Sequence, residues 1–179
     1  MMEYFRKMKG DTKSPPYVGF REIFWSWIGA FIGIGAVAFL EYNLLTGTDR
    51  LMIIGSFGAS AVLIYGAVRS PLAQPRNFIG GHLISAIIGV ASHQLLHSHM
   101  WLASAVGVAT AIAAMHATKT LHPPGGATAL IAVTGSEQIH SLGYFYVIMP
   151  VGAGALIMLL VALLVNNIPK TRRYPEFWF

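Results

Sequence analysis

Residues 144–168 read YFYVIMPVGAGALIMLLVALLVNNI and contain no Asp, Glu, Lys or Arg. An α-helix needs roughly 20 predominantly apolar residues to cross about 30 Å of hydrocarbon, and this run is long enough to do so. Five further stretches lack those four charged residues, at 23–40, 51–68, 78–96, 101–118 and 121–136. Over the 179 residues, 55% are hydrophobic and 11% charged, and the mean hydropathy is +0.59. A soluble domain carries about 25% charge. The expected fold is therefore an all-α membrane protein of about six transmembrane segments, a domain at 23–168 between an arm at 1–22 and a tail at 169–179. Six crossings leave no length for a soluble catalytic domain, and no enzymatic activity is expected.

Charge placement orients the segments. If all six cross with the N-terminus inside, every one of the 12 Lys and Arg except Arg50 falls on the inner side, as cytoplasmic loops require. Both termini are then cytoplasmic, and a bacterial inner membrane is the expected address. The net charge of +5 sits at the ends and in short connections without forming a phosphate-tracking stripe, so anionic lipid is the expected partner and nucleic acid is not. The first 22 residues hold bases and aromatics without the apolar centre of a signal peptide and read as an arm on the inner face. The tail mixes Lys170, Arg172 and Arg173 with Phe177, Trp178 and Phe179 and reads the same way.

The two halves echo each other. Residues 25–40 and 101–116 both open with Trp and run through small residues, and Gly58-Ala59-Ser60-Ala61 resembles Gly126-Ala127-Thr128-Ala129. Two three-helix halves related as inverted repeats are expected, although small apolar residues also recur by chance in membrane helices.

The fifth stretch carries the chemistry. It reads Leu121-His122-Pro123-Pro124-Gly125-Gly126-Ala127-Thr128-Ala129. Proline is pre-set for the first helical position and forces its predecessor out of the helical region, so a half helix is expected over 123–136. A helix that begins at bilayer depth presents N–H groups that lipid cannot satisfy. Gly125, Gly126, Ala127 and Thr128 are expected to offer these to a small anion, with the helix dipole, the Thr128 hydroxyl and His122 assisting behind Pro123 and Pro124. Ser56, Gly58 and Ser60 in the first half are candidates for an opposing wall facing this start, with tight helix packing as the competing reading of that segment. Arg69, Arg76 and Lys119 stand at the inner mouth, where they either steer anions or simply mark the cytoplasmic side.

Cysteine is absent, which removes disulfides and thiolate ligands. Of seven histidines, His93, His97 and His99 cluster at helical spacing but lack a nearby carboxylate, so no metal and no cofactor is expected. His82 and His116 lie within apolar segments, where they can form a proton path or bridge neighbouring helices.

The sequence resembles the HPP family of integral membrane proteins, through His122-Pro123-Pro124, the Gly125–Ala129 run that follows and the Pro71-Leu72-Ala73-Gln74-Pro75-Arg76-Asn77 connection. That family is described with four membrane spans, and its resemblance implies nitrite as the transported anion. The residues alone argue for a transporter or channel for a small monovalent anion. The alternative is a membrane scaffold subunit that transports nothing. Homo-oligomerisation is expected for so small a membrane protein.

Overall fold

The computed structural model describes residues 7–9, 14–44 and 54–179. Arg6, Lys13 and Arg50, which enter the charge count, and residues 51–53 of the second apolar stretch lie outside the described residues. Among the described residues there are seven α-helices and no strand: α1 (Phe20–Leu44), α2 (Gly55–Ala61), α3 (Pro75–Leu96), α4 (Met100–Ala117), α5 (Pro123–Thr134), α6 (Glu137–Leu142) and α7 (Ala153–Val165). A π-helical turn, Val62–Gly66, extends α2, and another, Val147–Gly152, leads into α7. The second of these breaks at Met149 (φ −137°, ψ 117°), the residue that Pro150 forces out of the helical region.

Among the described residues, four helices are long and apolar enough to cross a membrane: Phe20–Asn43, Pro75–Leu96, Met100–Ala117 and Val147–Val165. The second and fifth stretches fold as short helices instead, Gly55–Gly66 and the 12-residue α5. At 1.5 Å per residue, α5 reaches only about 18 Å. The six expected segments thus resolve into four long helices and two short ones. Large apolar side chains such as Trp27, Phe31, Leu160 and Leu164 are exposed, which is what a surface in contact with lipid tails requires.

Glycine sets the closest approaches. A Cβ on Gly89 would stand 2.5 Å from the Ala129 carbonyl oxygen and 2.8 Å from its Cα, and one on Gly125 would stand 2.8 Å from the Gly81 carbonyl. These positions hold α5 against α3, the small-residue contact expected within lipid. Gly29 and Gly33, spaced to let helices touch, instead accommodate the ring of Tyr65, whose hydroxyl donates to the Met158 carbonyl at 2.9 Å.

The C-terminal tail is tied into the bundle. Arg172 is buried and pairs with Glu22 at 2.7 Å, while it also donates to the carbonyls of Tyr65 and Glu22 and to Ser26 and Asn166. Asn166 donates to the Ile64 carbonyl at 2.8 Å. Together these side chains satisfy the carbonyls of the buried Ile64 and Tyr65, near the C-terminal end of the short α2 unit. The Tyr174 hydroxyl reaches the Ala73 carbonyl, and the Glu176 N–H reaches Gln74.

Gly89→Ala should lower the unfolding free energy in detergent by about 1–3 kcal/mol, because its Cβ meets main chain that cannot yield locally. Gly35→Ala, where a Cβ meets nothing within 4 Å, serves as the control. It should melt at or above the parent temperature, and equal losses at both positions would refute close α3–α5 packing as the cause.

Candidate functional site

His122 caps the start of α5 in an extended conformation (φ −141°, ψ 104°), as its place before a proline dictates. This turns its ring away from the axis of α5 and toward α2. His122 Nδ1 donates to the Leu72 carbonyl at 2.8 Å, and His122 Nε2 lies 2.9 Å from Ser60 Oγ. The same hydroxyl stands 2.7 Å from His82 Nε2. The other nitrogen of His82 is 2.7 Å from Thr128 Oγ1, and Thr128 Oγ1 is 2.8 Å from Ser56 Oγ. Ser56, Ser60, His82, His122 and Thr128 are all fully buried.

The surroundings are apolar and uncharged. Phe57 presents an edge-on contact to His82, and Phe78 presents one to each imidazole, with ring centroids 5.3–5.5 Å apart. The Tyr146 hydroxyl donates to the Thr128 carbonyl at 3.2 Å. Every imidazole nitrogen in the cluster has a hydroxyl or a backbone carbonyl as its partner, and none meets a carboxylate or a cation.

The connection before α3 is fixed in turn by side chains. Gln74 Nε2 donates to the carbonyls of Val68 and Ser70, and Asn77 Nδ2 donates to the Leu121 carbonyl at 2.9 Å. The Pro71–Asn77 motif therefore places the Leu72 carbonyl beneath His122.

Because a backbone carbonyl only accepts, the hydrogens of the cluster can be assigned. His122 carries its proton on Nδ1, which leaves its Nε2 to accept. Thr128 donates to Ser56, so it accepts from His82 Nδ1–H. With both rings neutral, the Ser60 hydrogen is sought by two nitrogens, His82 Nε2 and His122 Nε2, and four hydrogens serve five contacts.

The structure brings together His122, Thr128, Ser56 and Ser60 and adds His82 to them. Gly58 stands apart, on the face of α2 that lines an apolar groove of about 430 Å³ with Ala30 and Ile34 of α1. The expected cradle of amides is much reduced. Pro123 and Pro124 have no N–H, the Gly125 N–H donates to the His122 carbonyl at 2.8 Å, and Ala127 and Thr128 lie inside the helical ladder. Gly125 packs against α3, whereas at Gly126 a Cβ would meet only Val108, at 3.8 Å. The two short helices do not face each other end to end. Ser56 meets Thr128 while Ser60 meets His122, so they run antiparallel, side by side.

Of the three cations expected at the inner mouth, Arg76 and Arg69 are engaged with backbone. Arg76 donates to the Thr118 carbonyl at 2.8 Å, near the end of α4, where a cation complements the helix dipole. Arg69 donates to the Thr171 carbonyl at 3.0 Å, beside a cavity of about 430 Å³ that Glu22 and Arg172 also line. Lys119 is exposed, with φ of 57°. Among the histidines outside the cluster, His116 is exposed at the end of α4. His93 stacks on His140 with ring centroids 3.7 Å apart. Among the described residues, no group of three or more His, Asp or Glu is placed to hold a metal.

Sequence reasoning noted His82 as an intramembrane histidine without placing it in the site, and it missed the Leu72 carbonyl and the Tyr146 hydroxyl. The signal for His82 is a histidine seven residues after Pro75 in an otherwise apolar helix. Nothing local marks Leu72, because what it contributes is main chain.

Four apolar helices long enough to cross a membrane, packed with two short helices around a buried, polar, uncharged cluster, define a polytopic membrane protein. Residues 15–175 match the family model described as "HPP, transmembrane region", and the chain belongs to that family. Two proteins of Dictyostelium discoideum, each described as a transmembrane protein, are similar to it. One is 48% identical over 181 residues, covering 99% of this chain and 58% of its own length. The other is 44% identical over 184 residues, covering 100% of this chain and 64% of its own length. The chain thus spans about three-fifths of the length of the curated relatives it matches. No solved structure matches it.

Ser60→Ala removes the one hydroxyl shared by both imidazoles and leaves two buried nitrogens without partners. Each orphaned group costs about 1–3 kcal/mol, so the variant should unfold at a clearly lower denaturant concentration than the parent. A melting curve identical to that of the parent would show that the cluster is not held by this hydroxyl.

Proposed function

We propose that the chain moves a small monovalent anion across a membrane, with nitrite the leading candidate. The observation that carries this reading is the Ser56–Thr128–His82–Ser60–His122 cluster, buried where two half-length helices meet inside a bundle of full-length ones. Polar groups at such depth are costly and mark substrate pathways. Broken helices at a repeat interface are a recurring way to build transporter sites.

The donors differ from those expected on sequence grounds. Hydroxyls and imidazole N–H groups take the place of a row of free amides, and the dipole of α5 adds a partial positive charge near His122. These neutral donors suit a weakly basic, singly charged anion, which a buried Lys or Arg would hold too tightly to release. The antiparallel pairing of α2 with α5 supports two halves of inverted topology, α1–α2–α3 and α4–α5–α7. In this reading α3 and α7 close the halves, and rocking of one half against the other alternates access. The HPP family resemblance supplies nitrite, and the site is accordingly read as that of a carrier, not of an enzyme or a scaffold.

Purified protein in liposomes should take up nitrite faster than empty vesicles do. Thr128→Val, which keeps the shape but removes the hydroxyl, should reduce that uptake at least tenfold, equivalent to about 1.4 kcal/mol of lost binding. Nitrite should also raise the melting temperature in detergent more than chloride does. Uptake no faster than that of empty vesicles, together with melting indifferent to every anion and co-purification of a fixed partner, would favour the scaffold reading.

A further inference from the structure

The hydrogens of the buried cluster can be counted, and the count leaves room for one more. Five contacts run from Ser56 through Thr128, His82, Ser60 and His122 to the Leu72 carbonyl. Thr128 donates to Ser56, so His82 Nδ1–H donates to Thr128, and His122 Nδ1–H donates to Leu72. With both imidazoles neutral, the one Ser60 hydrogen then stands between two accepting nitrogens, His82 Nε2 and His122 Nε2, and one of the five contacts lacks a hydrogen.

One additional proton supplies the missing hydrogen. On His82 Nε2 it forms a new N–H bond with the ring lone pair, His82 then donates from both nitrogens, to Thr128 and to Ser60, and no covalent bond is broken. Ser60 donates to His122, and all five contacts are made. The protonated network adds a positive ring to these donors, beside the Ser56 hydroxyl, whose own hydrogen none of the five contacts uses.

The surroundings decide when such a proton can be held. From α2 the rings face Ser60 and Phe57, from α3 Phe78, from α5 Thr128, and from the connection the Leu72 carbonyl. The titratable groups are the two imidazoles themselves, with centroids 5.0 Å apart, and Tyr146, which is bonded to the Thr128 carbonyl. No carboxylate partners either ring, so a proton alone is a buried charge without a counter-ion. An anion alone loses its hydration shell to groups already bonded to one another. Each is costly singly, and together they neutralise each other.

We infer that the site takes up one proton, seated on His82, with each anion, so that transport is an electroneutral symport. This rests on the anion reading above and adds the coupling ion to it.

Liposomes holding the full chain, with nitrite present, the outside one pH unit more acid and the membrane potential clamped, should accumulate nitrite about tenfold beyond empty vesicles, because one proton per anion ties the two gradients together. Accumulation that follows the clamped potential and ignores the pH difference overturns the coupling while leaving transport intact. Absence of uptake above empty vesicles overturns both. Independently, calorimetric titration of nitrite into the detergent-solubilised protein in two buffers of different ionisation heat should report one proton absorbed per anion bound. Binding without proton uptake refutes the inference. His82→Gln keeps an amide N–H but has no site for the proton, and it should lose the pH-driven accumulation. Accumulation equal to that of the parent would also overturn the assignment.

Discussion

A single hydroxyl, Ser60 Oγ, stands between two imidazole nitrogens at 2.7 and 2.9 Å, and much of the bundle is arranged around that contact. It joins three elements, α2 through Ser60, α3 through His82, and the start of α5 through His122. In an apolar interior an unpaired nitrogen is expensive, so the position of each element is fixed by the hydrogen-bonding demands of the other two. The Leu72 carbonyl fixes which nitrogen of His122 carries the proton, because it cannot donate. A peptide connection that reads as a plain loop thereby determines the tautomer of a histidine in a neighbouring helix.

Two short helices are what make room for this centre. A pair of full-length helices would bury apolar side chains along their whole length and leave no helix ends inside. Here α5 starts at depth because two successive prolines remove the donors that would otherwise be orphaned there. Near the C-terminal end of the α2 unit, Asn166 and Arg172 instead supply donors to the Ile64 and Tyr65 carbonyls. The two solutions are chemically opposite, deletion of donors at one end and supply of donors at the other. The second explains why a guanidinium in the tail is buried at 7% exposure although the sequence places it among solvent-facing bases.

The class of fold was legible from the apolar runs, and the break before α5 from Pro123-Pro124, because both depend on local rules of length and backbone geometry. The partners of His122 were not legible. They come from residues 50 and 62 positions away, and one is a main-chain carbonyl with no side-chain signature. The expected amide cradle is reduced because the Gly125 N–H turns back onto the His122 carbonyl where the helix starts, a local bond that the residue types do not announce. Arg172 reads as a surface base because composition cannot reveal that a carboxylate 150 residues earlier, Glu22, lies beside it.

The packing also indicates which element can move. Between α3 and α5 the backbones are in contact at Gly81 and Gly125 and again at Gly89 and Ala129, so sliding one past the other would drive atoms together at once. The α2 helix is held differently. Its inward face is bound by Ser56 and Ser60, while its opposite face, at Gly58, borders an open apolar groove toward α1. A change in the hydrogen bonds of Ser56 therefore acts on the one wall of the site that has space behind it. Close-packed interiors respond to small forces by shifting along such unfilled directions, and in the transport reading proposed above this makes α2 the moving wall and α3–α5 the fixed one.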